Sequence, residues 1–145
     1  MSHTLLVLPT YNEAENIRPM VKRLLNLETV IDVLVVDDNS PDGTGDIASE
    51  LSELNECVHV LHRQEKDGLG RAYCAGFAWA LERDYDFVFE MDCDFSHSPT
   101  YINNGISTIS TFYVIPKCDI ILYCTVHFHE VYEKKIKNKH TTQTN

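Results

Sequence analysis

Two carboxylates one residue apart, Asp92 and Asp94 on either side of Cys93, follow the apolar run Phe87-Val88-Phe89-Glu90-Met91. Hard divalent cations such as Mg²⁺ and Mn²⁺ take oxygen ligands and commonly sit on one or two carboxylates plus substrate phosphates. Acidic pairs also cap helices and line turns, so D-x-D alone is a weak signal. Three further groups add to it. Pro9-Thr10-Tyr11-Asn12-Glu13 offers a ring beside which a nucleotide base can lie and a carboxylate for polar contacts, or else only a strand-to-helix turn. Asp37-Asp38 ends another apolar run, either as a solvated or capping pair or as a partner for ribose hydroxyls and base N–H groups. Arg63, Lys66, Gly68 and Gly70 put two cations and a glycine turn ahead of a helix, where backbone N–H groups and the helix dipole favour phosphate. The Gly-Lys-Ser/Thr of a P-loop is missing, and G-x-G-x-x-G fails because Tyr73 stands where its third glycine belongs. His97 reads either as a base or ligand, or as a turn histidine with a local hydrogen bond.

The elements that must position these groups follow from the hydrophobic pattern. Residues 4–8 form a continuous apolar run ended by Pro9, as in a strand buried on both faces. A helix is expected from about Glu13, with Asn12 as N-cap and Ile17, Met20, Val21, Leu24 and Leu25 at helical spacing. Strands are expected over 31–36, 58–61 and 86–91, and helices over 45–54 and from Gly68 to about Leu81. Ala72, Ala75, Gly76 and Ala78 read as the small residues that let this last helix pack closely on a sheet. Strands alternating with helices mean right-handed βαβ units and a parallel sheet, an α/β fold. Ligands of such sheets collect outside the carboxyl ends of the strands, where all four groups fall.

With 145 residues, 43% hydrophobic and 23% charged, the chain holds one domain's worth of soluble, globular sequence. A net charge of -10 without a basic stripe argues against nucleic acid as a partner, while an anionic substrate can still bind through a bridging cation. Up to Ile102 there are 19 acidic and 7 basic residues, and beyond it 3 acidic and 5 basic. That shift divides the chain into a binding domain, 1–102, and a divergent tail, 103–145, with β-like runs at 109–115 and 119–128 and a polar, disordered end. The five cysteines form no C-x-x-C pair and read as reduced thiols; Cys118 and Cys124 with His127 and His129 fit no standard zinc spacing. Neither a secretory leader nor an apolar run of about 20 residues is expected, so any membrane role is expected to be peripheral or to depend on a partner.

The Val7-to-Ile17, Val35-to-Thr44 and Met91-to-His97 segments together resemble the inverting GT-A glycosyltransferases of family 2. Within it, Ser40-Pro41-Asp42-Gly43-Thr44, Gly68-Leu69-Gly70-Arg71-Ala72-Tyr73 and Gly76-Phe77 are most similar to the dolichol-phosphate mannose synthases. The resemblance covers about the first 100 residues. It implies a Rossmann-like donor domain in which Pro9, Tyr11, Glu13, Val36 and Asp38 contact the GDP part of GDP-mannose. Asp92 and Asp94 would hold Mg²⁺ or Mn²⁺ on the diphosphate as the catalytic pair, with Cys93 and Ser96 lining the same site. Cys93 replaces the family's usual alanine and is expected to make the site sensitive to oxidation. The acceptor implied is dolichyl phosphate, at the cytosolic face of the endoplasmic reticulum, with small membrane-anchoring subunits, serving protein glycosylation and GPI-anchor synthesis. The same fold also allows glucose transfer from UDP-glucose to dolichyl phosphate, and a third reading is a non-catalytic donor-binding fragment. The family's acceptor-side segments are not recognised after Ile102, so the tail is expected to be a truncation or an aberrant C-terminus.

Overall fold

Four apolar runs pair as parallel strands because their side chains have helices to cover them on both faces. The computed structural model describes residues 3–96, 98, 99, 102, 115 and 116. The strands are β1 (Thr4–Thr10), β2 (Asp32–Asp37), β3 (Val58–His62) and β4 (Phe87–Glu90), separated by helices α1 (Ile17–Leu25), α2 (Thr44–Leu54) and α3 (Leu69–Leu81). The sheet order is β3-β2-β1-β4-β5, in which β5 (Ile115–Pro116) runs antiparallel against β4. The order reverses at β1, which has β2 on one side and β4 on the other. In open parallel sheets that reversal opens a crevice beyond the strands' carboxyl ends.

Period-two alternation divides the core. Leu6, Leu8, Val33 and Val35 face α1 and α2 and pack with Ile17, Met20, Val21, Leu24 and Ala48. Leu5, Val7, Leu34, Val36 and Val88 face α3 and pack with Ala72, Phe77 and Ala80. Gly76 sets how close α3 lies: a Cβ there would stand 2.4 Å from Val7 Cγ1. Ala72 and Gly76 are buried as the small-residue pattern predicts, whereas Ala78 is exposed and plays no part in that contact.

Two local expectations change. Pro9 does not end β1; the strand continues to Thr10. Val7 accepts from the Met91 N–H on the β4 side at 3.2 Å, and Thr10 accepts from the Asp38 N–H on the β2 side at 3.1 Å. Alternation turns Pro9 toward β4, past the point where β4 stops at Glu90, so no ladder donor is lost. The first helix starts at Ile17 with Asn16 as cap, not at Glu13 with Asn12. Asn12 is left-handed, with φ 58°, and Pro19 lacks the N–H that would bond Glu15, which leaves residues 13–16 as an isolated turn. The expected strands of the tail, its polar end, and His97 lie outside the described residues, apart from Ile115.

Candidate functional site

The loops after β1, β2 and β4 and the start of α3 enclose a cleft of ≈ 270 Å³. Pro9, Tyr11 and Glu13 enter from β1, Asp38 from β2, Lys66 and Leu69 from the approach to α3, and Asp92, Cys93 and Asp94 from β4. The crevice predicted by the strand order is thus where most of the sequence-nominated residues meet.

The β1 and β2 loops are built as one piece. Asp37 is 2% exposed and accepts from Thr10 Oγ1 at 2.9 Å, Ser40 Oγ at 2.6 Å and the Ser40 N–H at 3.1 Å. Gly45 packs onto this carboxylate, and a Cβ there would be 2.8 Å from Asp37 Oδ2. Asp42 accepts from the Ala14 N–H at 3.0 Å and from Thr44 Oγ1 at 2.5 Å, and Thr44 Oγ1 accepts from the Glu13 N–H at 2.9 Å. The Asn12 N–H donates to Ser40 Oγ at 3.1 Å. The two neighbouring aspartates therefore differ in kind: Asp37 holds the loops together, and Asp38 reaches the cleft. Hydrogen bonding from Thr44 lowers the Asp42 carboxyl below its ordinary value.

Asp38 is 5% exposed, and burial raises its carboxyl above the ordinary value against the pull of Arg63. Arg63 sits 2.7 Å from Asp38 Oδ1, also pairs with Asp67, and Arg71 meets the other oxygen of Asp67 at 3.0 Å. Burial works against the Arg63 charge, but Asp67 and Asp38 outweigh it and hold the guanidinium protonated. Of the expected phosphate cradle, Lys66 and the first turn of α3 face the cleft, while Arg63 is engaged with these two carboxylates. Gly68 caps α3 and Gly70 lies in its first turn, flanking Leu69, the residue that lines the cleft. The Lys66 ammonium stands 4.0 Å from the centre of the Tyr11 ring, tying the β1 loop to the α3 approach. Val36 is fully buried against the Gly76 side of α3, so its side chain serves the core.

On the β4 side, Asp92 Oδ1 accepts from the Tyr73 hydroxyl at 2.8 Å. Asp94 is exposed, and its Oδ1 accepts from the Ser96 N–H at 2.9 Å, so Ser96 meets the site through its backbone. Phe95 between them takes a left-handed φ of 60°, and Arg23 stacks 4.9 Å from the centre of its ring. Cys93 is 2% exposed, and burial, with Glu13, Asp94 and Asp92 nearby, pushes its thiol up to about 12. That burial keeps the thiol from solvent and works against the expected sensitivity to oxidation.

The cleft lining carries four carboxylates, on Glu13, Asp38, Asp92 and Asp94, against the single ammonium of Lys66. An anionic ligand entering it needs further positive charge. Among the described residues no three His, Cys, Asp or Glu side chains come together as a metal cage. Two carboxylates with all-oxygen donors fit a hard divalent cation that completes its shell with water and phosphate oxygens. Sequence reasoning missed the Tyr73 contact with Asp92 and the latch made by Asp42 and Thr44. Tyr73 did leave a trace, as the one polar side chain in a stretch of small residues, Ala72 to Ala75 and Gly76.

The chain matches the profile of Glycosyl transferase family 2 over residues 5–145, a span that takes in the tail. It is 50% identical over 107 residues to the undecaprenyl-phosphate mannosyltransferase of Micrococcus luteus, covering 74% of this chain and 44% of that one. It is 47% identical over 107 residues to the polyprenol monophosphomannose synthase of Mycolicibacterium smegmatis, covering 73% and 40%. The chain thus spans less than half the length of these curated relatives. A mannosyltransferase from Pyrobaculum calidifontis, solved with GDP-Man and Mn²⁺, superposes with a TM-score of 0.56 at 23% identity, over 63% of this chain and 27% of that one. That likeness shows the fold, part of a GT-A glycosyltransferase domain. With a profile match across nearly its whole length, the chain belongs to glycosyl transferase family 2.

Proposed function

We propose that residues 1–102 form the donor-binding unit of a mannosyltransferase that moves mannose from GDP-mannose to a polyprenyl phosphate, with 103–145 as a divergent tail. The observation that carries this reading is the gathering of Asp92, Asp94, Asp38, Glu13 and Lys66 around one cleft at the sheet's reversal point. The two bacterial relatives, named for polyprenyl-phosphate mannose transfer, support the reaction class. The Pyrobaculum mannosyltransferase, solved with GDP-Man and Mn²⁺, supports the donor and the cation.

In this reading Tyr11 lies against the base, Glu13 and Asp38 accept from the nucleoside, and Lys66 with the first-turn N–H groups of α3 meets the diphosphate. Asp92 and Asp94 would hold Mg²⁺ or Mn²⁺, which when bound would offset charge on the departing diphosphate. The acceptor is already an anion at neutral pH. Its phosphate oxygen forms the new bond to the anomeric carbon as the bond to GDP breaks, the electron pair leaves with GDP, and the carbon inverts. No proton has to be removed, so a protein base is dispensable. Among the described residues no helix is long and apolar enough to cross a membrane. The lipid acceptor still brings the chain to a membrane surface: the endoplasmic reticulum with its anchoring subunits if the lipid is dolichyl, a bacterial membrane if it is undecaprenyl.

The test is transfer of labelled mannose from GDP-mannose to short dolichyl and undecaprenyl phosphates with Mn²⁺, with Asp94→Ala as control and UDP-glucose as rival donor. Transfer lowered about 1,000-fold by Asp94→Ala is expected. Donor binding without transfer would reduce the chain to a donor-binding unit, and a preference for UDP-glucose would replace the donor.

A further inference from the structure

The hydroxyl of Tyr73 joins α3, which packs against β1 and β2, to a carboxylate of the cleft. We propose that Tyr73 is a positioning residue: its phenol fixes the rotamer of Asp92 so that this carboxylate presents a prepared oxygen to the divalent cation. The inference rests on the cation reading given above. Asp92 lies beyond the end of β4, and Tyr73 donates to its Oδ1 at 2.8 Å. Asp94, two residues on, has its own Oδ1 held by the Ser96 N–H at 2.9 Å. One oxygen of each carboxylate is thus held before any cation arrives. The two restraints differ in origin: that on Asp94 is local to its turn, whereas that on Asp92 comes from α3, 19 residues away in sequence.

The length of that reach is set by packing. Tyr73 stacks on Phe77, with ring centres 6.2 Å apart, and Phe77 is fully buried. Gly76 lets α3 approach β1 until any Cβ would stand 2.4 Å from Val7. With the helix seated at that depth, the phenol arrives at hydrogen-bond distance from Asp92. A carboxylate ordered in advance loses less rotamer freedom on binding, and outer hydrogen bonds of this kind typically change metal affinity 10–100-fold.

The test follows free Mn²⁺ by electron paramagnetic resonance as it is titrated into the full chain with GDP present. Wild type, Tyr73→Phe, Asp92→Asn and the double variant are compared. Phenylalanine keeps the ring and its stack on Phe77 and removes only the donor. The expected result is about a 10-fold loss of Mn²⁺ affinity in Tyr73→Phe, with the double variant no weaker than Asp92→Asn alone. Wild-type affinity in Tyr73→Phe would overturn the proposal while leaving the cation reading in place. So would a double variant that loses both factors in full, because Tyr73 would then act on the fold and not through Asp92. A wild-type chain that binds no Mn²⁺, or an Asp92→Asn chain that binds it normally, would overturn the cation reading and the Tyr73 proposal with it.

Discussion

The two sides of the cleft are constructed differently. The loops after β1 and β2 share a network in which Asp37, Ser40, Asp42 and Thr44 of one loop bond Thr10, Asn12, Glu13 and Ala14 of the other. The segment after β4 is held by Tyr73 on Asp92 and by a short turn around Asp94. Under the proposed function, a surface that recognises a rigid base gains from being finished in advance, and carboxylates that share a cation with an arriving diphosphate need only one oxygen each in place. The contrast predicts that substitutions in the β1–β2 network, at Asp37, Asp42 and Thr44, are read as stability and those of Asp92 and Asp94 as activity.

The largest effect expected is on the β4 side. Asp94→Ala should lower mannose transfer about 1,000-fold, the scale on which losing a charge-stabilising group acts, with an unchanged urea midpoint. A matching loss of stability would erase the distinction. Next comes Asp37→Ala, which strips a buried acceptor from Thr10 and Ser40 and should cost about 3 kcal/mol in urea unfolding. Thr44→Val removes one link, between Glu13 and Asp42, and should cost about 1 kcal/mol while raising the Kd for GDP only slightly.

The smallest effect is a pH dependence. Asp42 has a folded-state pKa below its ordinary value of 3.8, so its contribution is present above that value and is lost as pH falls through the folded pKa. Asp38 has the opposite sign, because its raised carboxyl favours the folded state at low pH and loses that advantage as pH rises. Urea midpoints measured from pH 5 down to pH 3 should therefore fall less steeply in Asp42→Asn than in the wild type. Equal slopes would show that the latch carries no ionic character.

Much of this was legible in the sequence because apolar runs, turn residues and strand ends follow local rules. The parallel sheet, its three covering helices and the convergence of Tyr11, Glu13, the Asp37-Asp38 pair, Asp92 and Asp94 needed only periodicity and the strand-end rule, while the choice of Asp38 within its pair came from the family resemblance. What was not legible depends on partners distant in the chain. Arg63 reads as a phosphate ligand until Asp38, 25 residues earlier, is seen to hold it. Val36 sits beside two aspartates in sequence, but strand alternation turns its side chain into the core. Cys93 reads as a vulnerable thiol until its burial is known. The start of α1 moved because Asn12 turns left-handed and Pro19 has no N–H to offer Glu15.

Pro9 has the opposite kind of influence, through what it prevents. If position 9 carried an N–H, that donor would point toward β4 and invite the chain after Glu90 to go on zipping onto β1. Met91 already bonds Val7 through its N–H, and zipping beyond it would draw Asp92 and Cys93 into the sheet and narrow the crevice. The proline ring offers nothing to pair with, so the two strands part where the cleft begins. The mouth of the site is kept open by a missing hydrogen, and no hungry donor is left on its wall.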